Sequence, residues 1–187
     1  MSEKIANHAR KVKQTGDDLM TVAIHAPDKK RYTLPPFLVE HEITEKVYLG
    51  WLKRKARTHV KRDRKRGLND VTEAKYRDAI HAAILKSDGK DAYTGELLDW
   101  SLISQYDNDA SKAGRHTYKA SFAMLPTVDH IDASSRSASF VICAWRTNDA
   151  KNDLTTLAFV ALCEKVLLHA GYTVTPPIQM TVDTVSA

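Results

Sequence analysis

Cysteine is scarce: Cys143 and Cys163 are the only two in a chain of 187 residues, and neither belongs to a Cys-x-x-Cys pair. They exclude a disulfide framework and, by themselves, a four-cysteine zinc site, and they read as thiols packed like small apolar groups. Long apolar runs are missing too. The longest, residues 140–145 and 157–163, fall far short of the roughly 20 residues that a membrane-spanning helix needs. The opening MSEKIANHARKVKQTGDD has no apolar stretch of signal-peptide length, so a cytoplasmic protein with no membrane attachment is expected. No internal repeat or low-complexity tract interrupts an otherwise ordinary globular composition, 43% hydrophobic and 27% charged.

Acid is nearly absent from one stretch. Residues 53–66 carry nine bases, Lys53, Arg54, Lys55, Arg57, Lys61, Arg62, Arg64, Lys65 and Arg66, against the single acid Asp63. That segment is at +8 in a chain of net charge +5, so everything else together is at −3. Charge concentrated in this way points to a polyanion, and contacts of this kind hold a phosphate backbone without reading bases.

Hydrophobic spacing assigns the elements. Residues 20–25 and 30–34 read as two short strands around a turn at Ala26-Pro27-Asp28, closed by Pro35-Pro36. From residue 42 to 66, Leu49, Leu52, Ala56, His59 and Val60 recur at helical spacing, with the bases on the other faces and Gly67 as the stop. A second helix is expected from an N-cap at Thr72, burying Tyr76, Ile80, Ala83 and Ile84 and ending at Asp88-Gly89. Residues 91–100 suggest a tight turn at Thr94-Gly95 and a short strand, and residues 101–121 a polar, irregular connection. A strand over 123–131, a Ser-rich turn over 132–139 and a strand over 140–145 follow. Helical signal resumes near Thr147, and a last helix is capped by Thr155 or Thr156 and carries Leu157, Val160, Ala161, Glu164 and Leu167 or Leu168. The tail after residue 172 is polar and β-prone.

The chemistry concentrates in LPTVDHIDASSRSASFVICAWRTNDAKNDL, residues 125–154. Phosphodiester hydrolysis needs an activated water and neutralisation of charge at the phosphate and at the departing oxygen. A histidine can take the water's proton near neutral pH, and a hard divalent cation takes oxygen ligands, one or two of them from protein. Asp129 offers a carboxylate, Asn148 an amide oxygen and His130 an imidazole. Neighbours on a strand point to opposite faces, so Asp129 and His130 share a site only where the strand ends or twists. The remaining histidines, His59 and His81 among them, read as structural or solvated, and Trp145 and Tyr93 as packing residues. His116, in a polar segment, is the one placed to reach DNA.

This stretch resembles the HNH (ββα-metal) endonuclease motif: Asp129-His130-Ile131 at the end of a strand, the apolar strand over 140–145, then Asn148-Asp149-Ala150-Lys151 opening a helix. The resemblance implies an α+β fold with a ββα-metal core, His130 as general base, Asp129 and Asn148 as metal ligands, and Lys151 contacting a phosphate or steadying the loop. It implies Mg²⁺, Mn²⁺ or Ni²⁺ as cofactor, DNA as substrate, and 5′-phosphate and 3′-hydroxyl products. Where many family members carry a zinc knuckle, this chain has Asp91 and Thr94, then Ala144 and Thr147. Structural zinc is therefore not expected, and packing around Tyr93, Leu97, Leu98 and Trp100 is expected to replace it. Ala138-Ser139 stands where the family has its central Asn or His. The organisation expected is an extension over 1–40 with a β-hairpin, a basic helical region over 41–90, a nuclease core over 91–172 and a tail over 173–187. Phosphate contacts fall to Lys53, Arg54, Arg57, Lys61, Arg62, Arg64, Lys65 and Arg66. Two alternatives remain open: a non-catalytic DNA-binding module on a degenerate nuclease fold, and a structure-specific or RNA-acting nuclease. A single centre cuts one strand, so double-strand cleavage would call for a dimer.

Overall fold

The computed structural model describes residues 31–131 and 138–175. The described residues from Tyr32 onward belong to one compact unit. The described chain is α+β, with a two-stranded antiparallel sheet among helices. In order the elements are α1 (Pro36–Glu40), α2 (Glu45–Lys65), α3 (Glu73–Ser87), a 3₁₀ turn (Trp100–Ser104), α4 (Asn108–Ser121), β1 (Pro126–His130), β2 (Phe140–Ala144), α5 (Trp145–Lys151) and α6 (Thr156–His169). No helix among the described residues is long and apolar enough to cross a membrane.

The two long helices form where spacing places them. The Thr44 hydroxyl accepts the Val47 N–H at 3.3 Å and caps α2, and Thr72 accepts the Lys75 N–H at 3.2 Å and caps α3. The chain leaves α3 through Asp88 in the left-handed region (φ 48°) and Gly89 (φ 76°). From α2, Tyr48, Trp51, Leu52, Ala56, His59, Val60 and Asp63 turn inward; from α3, Tyr76, Ile80, Ala83 and Ile84. The hairpin closes this core. Tyr76 meets Phe140 edge-on at 5.1 Å, and Trp51 meets Trp100 at 5.8 Å. A lone two-stranded hairpin is marginal in water, and burying each large apolar side chain adds roughly 1.5–3 kcal/mol, so the helices behind the hairpin are what make it stable.

β1 pairs with β2 from Pro126↔Ala144 to His130↔Phe140. Pro126 opens its strand, where a missing N–H is tolerated. α5 starts directly at the end of β2 with no side-chain cap. Its first N–H groups are taken by the segment before β1: Trp145 donates to the Leu125 carbonyl at 2.9 Å and Arg146 to that of Ala123 at 3.1 Å. This locks the start of α5 beside the end of the hairpin.

Several expectations change. Of the expected N-terminal hairpin, residues 20–25 and Lys30 lie outside the described residues, and residues 31–35 form no strand. Pro36 instead occupies the first turn of α1, where its fixed φ favours a helix start, and Leu38 is buried there. The strand expected after Gly95 is a single bridge, Lys90↔Leu97. Residues 132–137 of the Ser-rich turn lie outside the described residues.

Residues 108–121, expected to be irregular, are helix α4. Asp107 accepts the N–H groups of Asp109 and Ala110 and caps it, and a kink at Arg115 (φ 43°) interrupts it. No residue of α4 is buried, and its line at helical spacing, Ala110, Ala113, Gly114, Thr117 and Tyr118, is mostly of small residues; Tyr106, Tyr118, Phe122 and Trp145 hold it by edge and stacking contacts. α6 begins at its Thr155 cap as expected, but no residue of it is buried and Leu157 is 83% exposed.

Candidate functional site

The end of β1, the C-terminal half of α2 and the α5 region meet at a cleft of about 160 Å³ lined by Arg62, Arg66, Asp129, His130, Asn148, Asp149, Asn152 and Asp153. Asp129 and His130 are strand neighbours yet both reach it, because β1 ends at His130. Asn148 comes from α5 and lines the same space. The three residues expected to cooperate therefore share one cleft, lined also by Arg62 of α2 and by Arg66, which caps that helix.

His130 is 5% exposed and held at both ring nitrogens. Nε2 lies 2.9 Å from Oδ2 of Asp63, and Nδ1 lies 3.1 Å from Nη2 of Arg62. A carboxylate oxygen only accepts and a guanidinium only donates, so Nε2 carries the proton and Nδ1 the lone pair. Asp63 is 1% exposed, and the Tyr76 hydroxyl donates to its Oδ2 at 2.6 Å. Burial, and then the bond to Asp63, push the Tyr76 hydroxyl's pKa up, which keeps it a donor. His59 stands behind this group. Its Nδ1 accepts from the same Arg62 Nη2 at 2.8 Å, and its ring is 5.1 Å from that of His130. Burial first, and then the nearby Arg62, lower His59 to about 2, so the ring is neutral.

Asp129 has a parallel arrangement. Its Oδ2 accepts from the Tyr93 hydroxyl at 2.7 Å and pairs with Nζ of Lys151 at 2.9 Å. Lys151 is 1% exposed, so its ammonium lies inside the fold rather than at the surface, steadying Asp129 and the strand end. Oδ1 of Asp129 has no hydrogen bond among the described residues. No group of three or more His, Cys, Asp and Glu side chains that could hold a metal occurs among the described residues. The side-chain oxygen donors lining the cleft are the carboxylates of Asp129, Asp149 and Asp153 and the amides of Asn148 and Asn152. Oxygen donors of this kind suit a hard cation that keeps much of its shell as water.

Where the family resemblance assigns a knuckle cysteine, the Asp91 carboxylate ties the segments together. Oδ1 accepts the N–H groups of Tyr93 (2.7 Å) and Thr94 (3.2 Å), and Oδ2 accepts that of Ala144 (2.8 Å). The turn is thereby pinned to the end of β2, and Tyr93 is aimed at Asp129. Leu98 and Trp100 are buried as expected, whereas Leu97 is 72% exposed and takes no part in that packing.

The expected phosphate-contacting residues divide. Arg62 and Arg66 line the cleft. Lys53, Arg54, Arg57, Lys61, Arg64 and Lys65 are exposed along α2; Arg57 pairs with Glu73 at 3.3 Å and Arg64 donates to the Val71 carbonyl at 3.1 Å. Lys55 lies over the Trp51 ring, and burial lowers it to about 8. His116 is exposed on α4.

Compared with protein-family models, curated proteins and solved structures, the chain matches none.

Three contributors escaped the sequence reading: Asp63, Tyr76 and Tyr93. A signal for Asp63 was there. It continues the inward line of Ala56, His59 and Val60 at helical spacing, and an acid on the apolar stripe of a basic helix implies a buried partner.

Proposed function

We propose that the chain is a divalent-metal-dependent endonuclease of the HNH type, with β1, β2 and α5 as its ββα-metal core and DNA as its substrate. One observation carries this reading: Asp129, His130 and Asn148 line a single cleft that Arg62 and Arg66 also line. His130 would act through Nδ1, the nitrogen whose lone pair the Asp63 bond leaves available. The water's proton passes to Nδ1, its oxygen bonds to phosphorus, the bond from phosphorus to the 3′ oxygen breaks, and solvent protonates the departing oxygen. Asp129 Oδ1 and Asn148 would hold the cation, which supplies charge neutralisation at the phosphate and the leaving oxygen. Arg62, Arg66 and the exposed bases of α2 would hold the backbone.

The deciding experiment is nicking of supercoiled plasmid with Mg²⁺, Mn²⁺ or Ni²⁺. The wild type nicks, and His130→Ala binds DNA with unchanged affinity but does not nick. A second reading, a DNA-binding module without turnover, is favoured by the engagement of both ring nitrogens of His130. Binding without cleavage under all three metals would establish it.

A further inference from the structure

Two adjacent residues of α2 grip the same imidazole, and they differ in how firmly they are fixed. Asp63 is buried, tied to Tyr76, and pairs with Nε2. Arg62 is exposed, lines the cleft, and donates to Nδ1. We infer that Asp63 positions His130 permanently through Nε2, whereas Arg62 covers Nδ1 only until the phosphate of a bound nucleic-acid strand draws its guanidinium away.

The argument is one of donors and acceptors. Arg62 Nη2 carries two hydrogens, and both are used: one on Nδ1 of His59 at 2.8 Å, the other on Nδ1 of His130 at 3.1 Å. Both acceptors are ring nitrogens rather than carboxylate oxygens, and Arg62 makes no ion pair among the described residues, although Asp129, Asp149 and Asp153 line the same cleft. Two neighbouring cations differ: Arg66, in the cleft, pairs with Asp153 at 3.3 Å, and the buried Lys151 pairs with Asp129 at 2.9 Å. A phosphate offers a guanidinium two charge-assisted bonds, roughly twice as strong as bonds to neutral acceptors. Phosphate entering the cleft therefore takes Arg62 from the histidines, and the same movement uncovers the nitrogen that must accept the water's proton. His130 cannot follow, because Asp63 holds its other side. The empty site keeps its base covered, and substrate uncovers it. Asp63 is thus a positioning residue, and Arg62 is both a phosphate ligand and a cap.

This rests on the nuclease reading for the identity of the anion, and the test separates the two. The full chain, labelled with ¹⁵N-histidine and kept in EDTA, is followed by side-chain ¹H–¹⁵N correlation, with His130 assigned by its loss in His130→Gln. The probes are a short duplex DNA and, in parallel, inorganic phosphate. In wild type the proton sits on Nε2 in every state. Without a probe, Arg62→Gln moves the Nδ1 resonance to its unbonded position. Either probe moves wild-type Nδ1 in the same direction, by at least half that difference, and neither moves it further in Arg62→Gln. A proton found on Nδ1, identical Nδ1 resonances in wild type and Arg62→Gln, or wild-type Nδ1 unmoved with either probe bound would overturn the inference. If phosphate uncovers Nδ1 but no duplex is bound in EDTA and no plasmid is nicked when metal is supplied, the nuclease reading fails and the cap stands. If duplex is bound in EDTA and plasmid is nicked with metal while Nδ1 stays covered, the cap fails and the nuclease reading stands.

Discussion

The two walls of the cleft are built from the same parts. On the α2 wall a buried aspartate, Asp63, receives a tyrosine hydroxyl at 2.6 Å and a ring nitrogen at 2.9 Å. On the α5 wall a buried aspartate, Asp129, receives a tyrosine hydroxyl at 2.7 Å and an ammonium at 2.9 Å. The difference is what each wall offers the cleft. The first presents a nitrogen lone pair, Nδ1 of His130, backed by a fixed carboxylate. The second presents a carboxylate oxygen, Oδ1 of Asp129, on a group already half-neutralised by Lys151. One is suited to hold a proton and the other a cation. A buried carboxylate thus does different work according to whether its nitrogen partner has a second face.

That contrast can be broken wall by wall. The largest effect is expected in catalysis. His130→Ala is to lower plasmid nicking by at least about 100-fold at any metal concentration. Asn148→Ala is to lose activity that excess Mg²⁺ partly restores, because it weakens cation binding and leaves the base intact. Rescue of His130→Ala by metal would merge the two walls and refute the division. Next comes stability. Lys151→Ala leaves Asp129 buried without its cation and is expected to cost about 3–5 kcal/mol in urea unfolding. Asp129→Asn in that background is to return much of it; additive losses would show that the ion pair is not coupled.

A pH effect should be confined to the α2 wall. His59 is lowered from 6.5 to about 2 in the fold, so the unfolded chain takes up a proton that the folded chain refuses. Its contribution is fully present above pH 6.5 and is lost as pH falls toward the folded value, by about 1.4 kcal/mol per pH unit below 6.5. Unfolding free energies at pH 7.5, 6 and 5 should show this slope in wild type and a flatter one in His59→Gln; equal slopes would contradict it. The smallest effects compare the tyrosines. Tyr76→Phe and Tyr93→Phe each remove one bond to a buried carboxylate and are expected to cost about 1.5 kcal/mol, similar on both walls. A loss on one wall only would show that the parallel is superficial.

Much of this was legible in one dimension. The caps Thr72 and Thr155 stand where helices α3 and α6 begin, and the apolar runs mark both strands. α4 was not legible because the line it shows at helical spacing, Ala110, Ala113, Gly114, Thr117 and Tyr118, is mostly of small residues and buries nothing. The outward face of α6 was illegible for the opposite reason: its apolar residues predict burial, yet among the described residues none is buried. At the site, Asp129, His130 and Asn148 could be named from their order and chemistry, whereas Tyr76 and Tyr93 could not, because nothing near them in the chain needs a hydroxyl.

Sequence alone determined the order of α2, α3, β1, β2 and α6, the caps of α3 and α6, and which side chains have the chemistry for a base or an oxygen ligand, since these depend on local spacing and residue type. Only the tertiary structure decided that Asp63 meets His130 across 67 positions, that Tyr93 meets Asp129 across 36, and that Lys151 turns inward. Partners of buried polar groups are set by packing, which brings together residues that no periodicity relates.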